Sequence, residues 1–278
     1  MRRAGGLALL ITALGVGTSL APIGDESGRA LAQVATPIAK IVEASSRVPD
    51  VRTEATAPRL QPRRAPFVLE AEGATPAIVV YPPRDESRAR PVAVMLHGMC
   101  STPESTCAPI AGAVTRDHWL VCPRGTVACE GGGATWSMKD APAQIEASVR
   151  RLATREAVDI DAPRTLLGFS FGATIAVLVA QHVSAARSDA QERGAWTSVV
   201  LLGAEVYPDA AALRRAGVRR VLLGAGDYDM MKNHMLAATD RLRRQGTDAV
   251  FVGLGPVGHT FPSDIDAWMA RALVWTTT

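Results

Sequence analysis

A serine in a short glycine-rich segment is the first residue of this sequence that could perform chemistry. Ser170 is the centre of GFSFG (168–172), which matches the pattern G-x-S-x-G. Such a short pattern also arises by chance, so its context has to support it. An apolar segment at 164–169 predicts a strand before the motif, and the apolar segment at 173–183 predicts a helix after it. A strand–turn–helix context of this kind is typical of an exposed nucleophilic serine.

A serine hydroxyl is a weak nucleophile until a base removes its proton. We identify His259 as the base, because it lies in GHTF, on the loop after the last predicted strand. The base in turn needs a carboxylate that orients it. Asp227 follows the predicted strand RVLLGA most closely and is the preferred acid, while Asp229 remains the alternative. The predicted catalytic residues are therefore Ser170, Asp227 and His259, in the chain order Ser, Asp, His.

Acyl transfer also requires donors for the negative oxygen of the tetrahedral intermediate, and two backbone N–H groups suffice. The residue after the nucleophile supplies one, which here is Phe171. The second is expected from the loop after the strand that ends at His97, and we assign it to Met99 in LHGMC. The sequence therefore predicts an oxyanion hole formed by the N–H groups of Met99 and Phe171.

These residues need a scaffold that brings the ends of several strands together. Apolar runs typical of strands buried on both faces occur at 91–97, 118–123, 164–169, 198–203, 220–225 and 249–254, preceded by FVLEAE and AIVVYPP. Helical patterns occur at 104–115, 142–157, 173–183, 208–216, 230–244 and 264–275. Alternating strands and helices predict an α/β fold with a mostly parallel sheet of about eight strands, covered by helices on both faces.

The motifs LHGMC, GFSFG, GAGD and GHTF resemble those of the α/β-hydrolase superfamily, and the resemblance extends from Phe67 to Val274. The lidless carboxylesterases, acyl-protein thioesterases and dienelactone-hydrolase-like proteins are the most similar branch. The resemblance implies the same nucleophile, acid, base and oxyanion donors, without a metal or organic cofactor. It also implies a substrate-binding role for Trp136 in GGGATWSM. The bulky Phe171 after the nucleophile departs from those esterases and is expected to narrow the acyl pocket.

No lid insertion is expected between the strand at 198–203 and the helix near 208–216. The segment around Glu130 and the three glycines that follow it could cover the site as a flap, or simply connect its neighbours. An open site of this kind suits small-molecule or polymeric esters.

The N-terminal region predicts export. Two arginines precede an uncharged apolar run, which indicates a signal peptide over residues 1–32, with an uncleaved anchor as the alternative. Residues 33–65 are rich in proline and arginine and predict a tether, so residues 66–278 form the catalytic domain. We therefore expect a secreted or periplasmic protein.

The chain has four cysteines, at positions 100, 107, 122 and 129. The expected export places them in an oxidising compartment, where cysteines commonly form disulfides. Disulfides are favoured over a zinc site, whose short Cys-x-x-Cys spacing is missing. Three connectivities are open. The pairing of Cys100 with Cys107 and of Cys122 with Cys129 would close two small loops.

Composition narrows the function classes. The 278 residues carry 30 basic and 27 acidic side chains, a net charge of +3, and no basic stripe for nucleic acid. The sequence favours an exported serine hydrolase that acts on small-molecule or polymeric esters, with no membrane contact beyond the alternative anchor. A serine peptidase or amidase on the same scaffold, and a non-catalytic exported binding module, remain alternatives.

Overall fold

A computed structural model describes residues 64–73, 75–182 and 195–277. The predicted signal peptide or anchor (1–32), and the predicted tether (33–65) except its last two residues, lie outside these ranges. Among the described residues, no helix is both long and apolar enough to cross a membrane.

The described ranges contain ten strands, numbered β1 to β10 in chain order: Phe67–Leu69, Ile78–Tyr81, Val92–Leu96, Trp119–Pro123, Val127–Ala128, Ala134–Thr135, Arg164–Phe169, Trp196–Leu202, Arg220–Ala225 and Asp248–Gly253. Eight of them form one sheet in the order β1-β2-β4-β3-β7-β8-β9-β10. The pairs β1–β2 and β2–β4 are antiparallel, whereas all other pairs in this sheet are parallel. The predicted mostly parallel sheet of about eight strands is confirmed. Strands β5 and β6 pair separately as a small antiparallel hairpin, which the sequence did not predict.

Seven α-helices accompany the strands among the described residues. They are α1 to α7 in chain order: Pro103–Cys107, Ala111–Val114, Ala141–Ala153, Phe171–His182, Ala210–Arg215, Lys232–Arg244 and Ile265–Thr277. The predicted helix at 104–115 is split, because a 3-10 turn at Ala108–Ile110 separates α1 from α2. Pro109 lies in this turn and lacks the N–H that an uninterrupted helix would use. The other helices lie within a few residues of their predicted positions.

Helices cover both faces of the sheet, as the alternation of side chains along β3 illustrates. Val92, Val94 and Leu96 point into one core, which α3 to α6 complete, whereas Ala93 and Met95 point into a second core, with α1, α2 and α7. Residues 203–209 connect β8 directly to α5, and no lid domain is present in the described part of the chain. The carboxyl ends of the parallel strands therefore meet at one open edge.

Both disulfides differ from the pairing that would close small loops. Cys100 bonds to Cys129, and Cys107 bonds to Cys122. The sheet explains this result, because Cys107 at the end of α1 and Cys122 on β4 are both fully buried in the second core. All four sulfurs are thus oxidised, which is incompatible with the zinc site considered as the alternative.

Candidate active site

Ser170 occupies a sharp turn between β7 and α4. Its φ is 55°, and its N–H donates to the carbonyl oxygen of Leu202 at 2.8 Å. The flanking glycines are required by close backbone contacts. A Cβ at Gly172 would lie 2.1 Å from the Leu96 oxygen, and one at Gly168 would lie 2.4 Å from the Gly172 oxygen. The sequence forms this turn because only glycine fits beside the neighbouring strand and the helix start.

His259 lies beside the serine, as predicted. Its Nε2 is 2.9 Å from Ser170 Oγ, which is within hydrogen-bond distance for proton transfer. The imidazole stacks on the ring of Phe169 with centroids 5.1 Å apart, and the Phe261 ring packs at an angle against the same Phe169 ring with centroids 4.6 Å apart. Phe169, the second residue of the serine motif, thus supports the His259 ring as well as the turn.

The carboxylate that contacts the His259 ring is that of Asp229. Its Oδ2 lies 3.1 Å from His259 Nδ1, and its Oδ1 accepts a hydrogen bond from the N–H of Met231 at 2.9 Å. The Asp229 side chain is only 2% exposed. Because one oxygen is held by the backbone, the other is fixed toward the imidazole.

The preferred acid, Asp227, does not reach the histidine, so this expectation is corrected. Its side chain is 45% exposed and forms an ion pair with Lys232 at 2.8 Å. A tight turn causes the difference. A Cβ at Gly226 would lie 2.1 Å from the Val257 oxygen, and the N–H of Asp229 donates back to the Gly226 oxygen at 3.2 Å. Because the chain reverses here, the side chain of Asp229, and not that of Asp227, reaches His259.

The two predicted oxyanion donors flank the serine. Neither the Met99 N–H nor the Phe171 N–H has a hydrogen-bond partner among the described residues. A Cβ at Gly98 would lie 3.2 Å from the Ser170 Cβ, so the loop after β3 passes directly beside Ser170. The Phe171 side chain packs against the first core and does not line the cleft. The expected narrowing of the acyl pocket by Phe171 is therefore not found.

His97 organises this loop, a role that the sequence did not reveal. The Gly125 N–H donates to His97 Nε2 at 3.0 Å, so the ring proton is on Nδ1, which lies 2.8 Å from the Gly98 carbonyl oxygen. The imidazole is fully buried, and burial lowers its pKa below the ordinary value of 6.5, which favours this neutral form. The signal available in the sequence was its place directly before Gly98.

Trp136 is not a wall of the site, contrary to the expected substrate contact. Its ring is 4% exposed and lies against the His97 ring with centroids 4.8 Å apart. Its Nε1–H donates to the His97 carbonyl oxygen at 2.8 Å. Trp136 thus supports the loop after β3 through its contacts with His97, and it does not line the cleft.

A cleft of about 290 Å³ opens above the serine. Its lining includes four hydroxyl side chains besides Ser170 and two phenylalanine rings. The lining residues are Gly98, Met99, Ser101, Ser105, Thr106, Phe169, Ser170, His259, Thr260 and Phe261. Within the described ranges, no three His, Cys, Asp or Glu side chains are grouped so that they could hold a metal ion.

Solved structures of known proteins share this architecture. A carboxylesterase from Mesorhizobium loti is 24% identical, with a TM-score of 0.56 over 76% of this chain and 98% of that chain. A fluorophosphonate-binding serine hydrolase, FphF of Staphylococcus aureus, is 15% identical, with a TM-score of 0.56 over 77% and 98%. Acyl-protein thioesterase 2 of Zea mays is 21% identical, with a TM-score of 0.51 over 72% and 98%.

By sequence, no family model matches the chain, and no curated protein matches it significantly. The likeness to the solved structures covers nearly their whole length but remains below 25% identity. Together with the sheet order and the serine turn, it establishes that this chain has the α/β-hydrolase fold.

Proposed function

We propose that this protein is an exported serine hydrolase that cleaves carboxylic esters through an acyl-enzyme intermediate. The observation that carries the proposal is the continuous hydrogen-bonded series from Ser170 Oγ through His259 to the buried Asp229 carboxylate, at 2.9 and 3.1 Å. A nucleophile, a base and an orienting acid in contact are the components of an activated serine. Ser170 and His259 both line a cleft that is large enough for a small ester group.

The mechanism follows from this arrangement. His259 Nε2 removes the hydroxyl proton while Ser170 Oγ attacks the ester carbonyl, and Asp229 stabilises the imidazolium that forms. The Met99 and Phe171 N–H groups hold the negative oxygen of the tetrahedral intermediate. His259 then protonates the departing alcohol, which leaves an acyl-serine. Water, activated by the same histidine, hydrolyses the acyl-serine and regenerates the enzyme.

The compartment is part of the proposal. Two disulfides suit an oxidising environment outside the cytoplasm. The N-terminal pattern of arginines followed by an apolar run supports export. The ester class is supported by the carboxylesterase and thioesterase among the structural neighbours, which share the fold. The open cleft and the absence of a lid domain in the described residues favour short acyl groups on accessible esters.

Labelling with a fluorophosphonate probe tests the proposal. We expect a single adduct on Ser170, located by intact mass and peptide mapping. We also expect turnover of p-nitrophenyl acetate, a small activated ester that an activated serine can attack. Ser170→Ala should abolish the adduct and lower kcat by at least about 10⁴-fold.

The same measurements separate the alternatives. Cleavage of anilides at rates comparable to those of matched esters would identify an amidase instead. Folded protein that neither labels nor hydrolyses any ester would indicate a binding module, and full activity of Ser170→Ala would exclude the assigned nucleophile.

A further inference from the structure

The backbone directly after Met99 has an unusual conformation. Cys100 has a φ of 53°, one of only two non-glycine residues with positive φ in the described part of the chain, the other being Ser170. A residue in this region persists only where its surroundings hold it. The disulfide bond to Cys129 constrains the backbone at Cys100 covalently. The conformation that follows the proposed oxyanion donor is thus tied to a separate segment of the chain.

That segment is the β5–β6 hairpin with its flanks, residues 125–136, which we call the clamp hairpin. It contacts the loop 97–101, which we call the oxyanion loop, on both sides of Met99. The Ala134 N–H donates to the Ser101 oxygen at 2.9 Å. The α-carbon of Gly133 lies so close to the loop that an added Cβ would be 2.4 Å from the Cys100 oxygen. At the other end of the loop, the Trp136 Nε1–H donates a hydrogen bond to the His97 carbonyl oxygen. The clamp hairpin therefore contacts both ends of the oxyanion loop, at His97 and at Ser101.

A peptide-plane argument connects these contacts to the donor itself. The Gly98 carbonyl and the Met99 N–H belong to the same trans peptide unit, so they point in opposite directions. The His97 Nδ1–H donates to the Gly98 carbonyl oxygen at 2.8 Å. The other ring nitrogen, Nε2, accepts a hydrogen bond from the Gly125 N–H of the clamp hairpin at 3.0 Å. Fixing the carbonyl on one side directs the Met99 N–H to the other.

The two disulfides occupy different environments. Cys107 and Cys122 are fully buried between α1 and the sheet. Cys100 is exposed and Cys129 is partly exposed. A solution reductant therefore reaches the bond between Cys100 and Cys129 first, while the buried bond stays protected by the fold.

From these contacts we propose that the Cys100–Cys129 disulfide, acting with the clamp hairpin, is a positioning element that orients the Met99 N–H toward the reacting carbonyl. This inference rests on the proposed function. Loss of the bond releases the oxyanion loop from the hairpin at the residue next to the donor. In the described part of the chain, no hydrogen bond joins the series of Ser170, His259 and Asp229 to either sulfur, so the series should keep its arrangement. Turnover should therefore depend on this disulfide more strongly than substrate binding or global stability does.

The test compares two paired variants on p-nitrophenyl acetate. Cys100→Ala with Cys129→Ala should lower kcat by about 10- to 100-fold, a fraction of the 10²- to 10³-fold loss typical of deleting one oxyanion donor. KM should stay within about threefold. Affinity for a trifluoromethyl ketone, whose adduct with serine places a negative oxygen in the same hole, should fall by a factor similar to that of kcat. Cys107→Ala with Cys122→Ala is the matched control, which should lower the Tm and leave kcat unchanged.

Mild reduction of the folded wild-type enzyme gives a second measurement. Tris(2-carboxyethyl)phosphine supplies two electrons and becomes the phosphine oxide with oxygen from water, while the disulfide takes up two protons to form two thiols. The fall in kcat should match that of the variant. It should reverse when the phosphine is removed and oxidised glutathione re-forms the Cys100–Cys129 bond, which releases two molecules of reduced glutathione per bond. This measurement decides the matter even if the paired variant fails to fold.

Three results would overturn the inference. The first is kcat within twofold of wild type after the Cys100–Cys129 bond has been removed. The second is a variant whose Tm and fraction of active enzyme fall together, while the enzyme that remains active binds the trifluoromethyl ketone as tightly as wild type does. Such a variant would have lost stability only. The third is a wild-type enzyme that neither labels nor hydrolyses esters, which refutes the proposed function as well. An active wild type with an unaffected variant refutes the positioning role alone.

Discussion

The Asp229 carboxylate and the His259 imidazole are joined by a hydrogen bond of 3.1 Å, and the carboxylate is almost completely shielded from water. Asp227 lies only two residues earlier and is solvent-exposed beside Lys232. A buried charge held by hydrogen bonds interacts with an imidazolium more strongly than an exposed one, because water does not screen it. This contrast between two neighbouring aspartates yields a direct test.

Asp229→Asn should lower kcat by about 10³- to 10⁴-fold, because an amide neither stabilises the imidazolium nor enforces the required tautomer. Asp227→Asn should leave kcat within about twofold of wild type and serves as the matched control. Steady-state hydrolysis of p-nitrophenyl acetate measures both. A larger loss in the Asp227 variant would return the orienting role to that residue.

The serine turn should tolerate no side chain at its second glycine. Gly172→Ala places a methyl group 2.1 Å from the Leu96 oxygen, so the strand or the helix must move. We expect a loss of about 3 kcal/mol or more in the free energy of unfolding, at the upper end for overpacked sites. Urea denaturation measures it. Gly253→Ala, which meets no atom within 4 Å, should change stability by less than about 0.5 kcal/mol, and equal effects of the two substitutions would contradict this explanation.

The buried disulfide should contribute to stability. Cys107 and Cys122 are separated by 15 residues, and closing a loop of that size stabilises a protein by roughly 3 kcal/mol in the chain-entropy model. Replacing both with alanine should lower the free energy of unfolding by about this amount in denaturant titrations. A stability equal to that of wild type would show that the bond adds nothing beyond packing.

Stability should also fall in mild acid because of two buried histidines. Burial lowers the pKa of both His97 and His118 below the ordinary value of 6.5. Below pH 6.5 the unfolded chain therefore binds protons that the folded chain does not, so the stability contributed by the neutral rings is complete above pH 6.5 and declines as the pH falls.

Urea titrations from pH 7.5 to pH 5 measure this decline. His97→Gln and His118→Gln should each flatten the slope relative to wild type, and their combination should flatten it further. A slope that neither substitution changes would assign the acid sensitivity to other groups.

The order of strands and helices could be predicted because each element carries its own pattern. Continuous apolar runs identify strands buried on both faces, and periodic apolar positions identify the helices. The neighbouring positions of Ser170 and His259 could be predicted because Ser170 directly follows one parallel strand and His259 lies on the loop after another, and the carboxyl ends of parallel strands meet at one edge. Phe171 and Met99 could be proposed as oxyanion donors for the same reason, since their backbone positions follow from the adjacent strand ends.

The choice between Asp227 and Asp229, the pairing of the cysteines and the environment of Trp136 required the tertiary structure. Each depends on contacts between segments far apart in the chain: the turn at Gly226 packs against the loop before His259, and the clamp hairpin packs against the oxyanion loop. Local patterns report which face of an element is buried. They do not report which segment packs against that face, because this is decided by the relative placement of strands in the sheet. The sequence by itself therefore determined the fold class and the placement of Ser170 and His259 at neighbouring strand ends, whereas tertiary packing decided which aspartate contacts His259, how the cysteines pair and what supports the oxyanion loop.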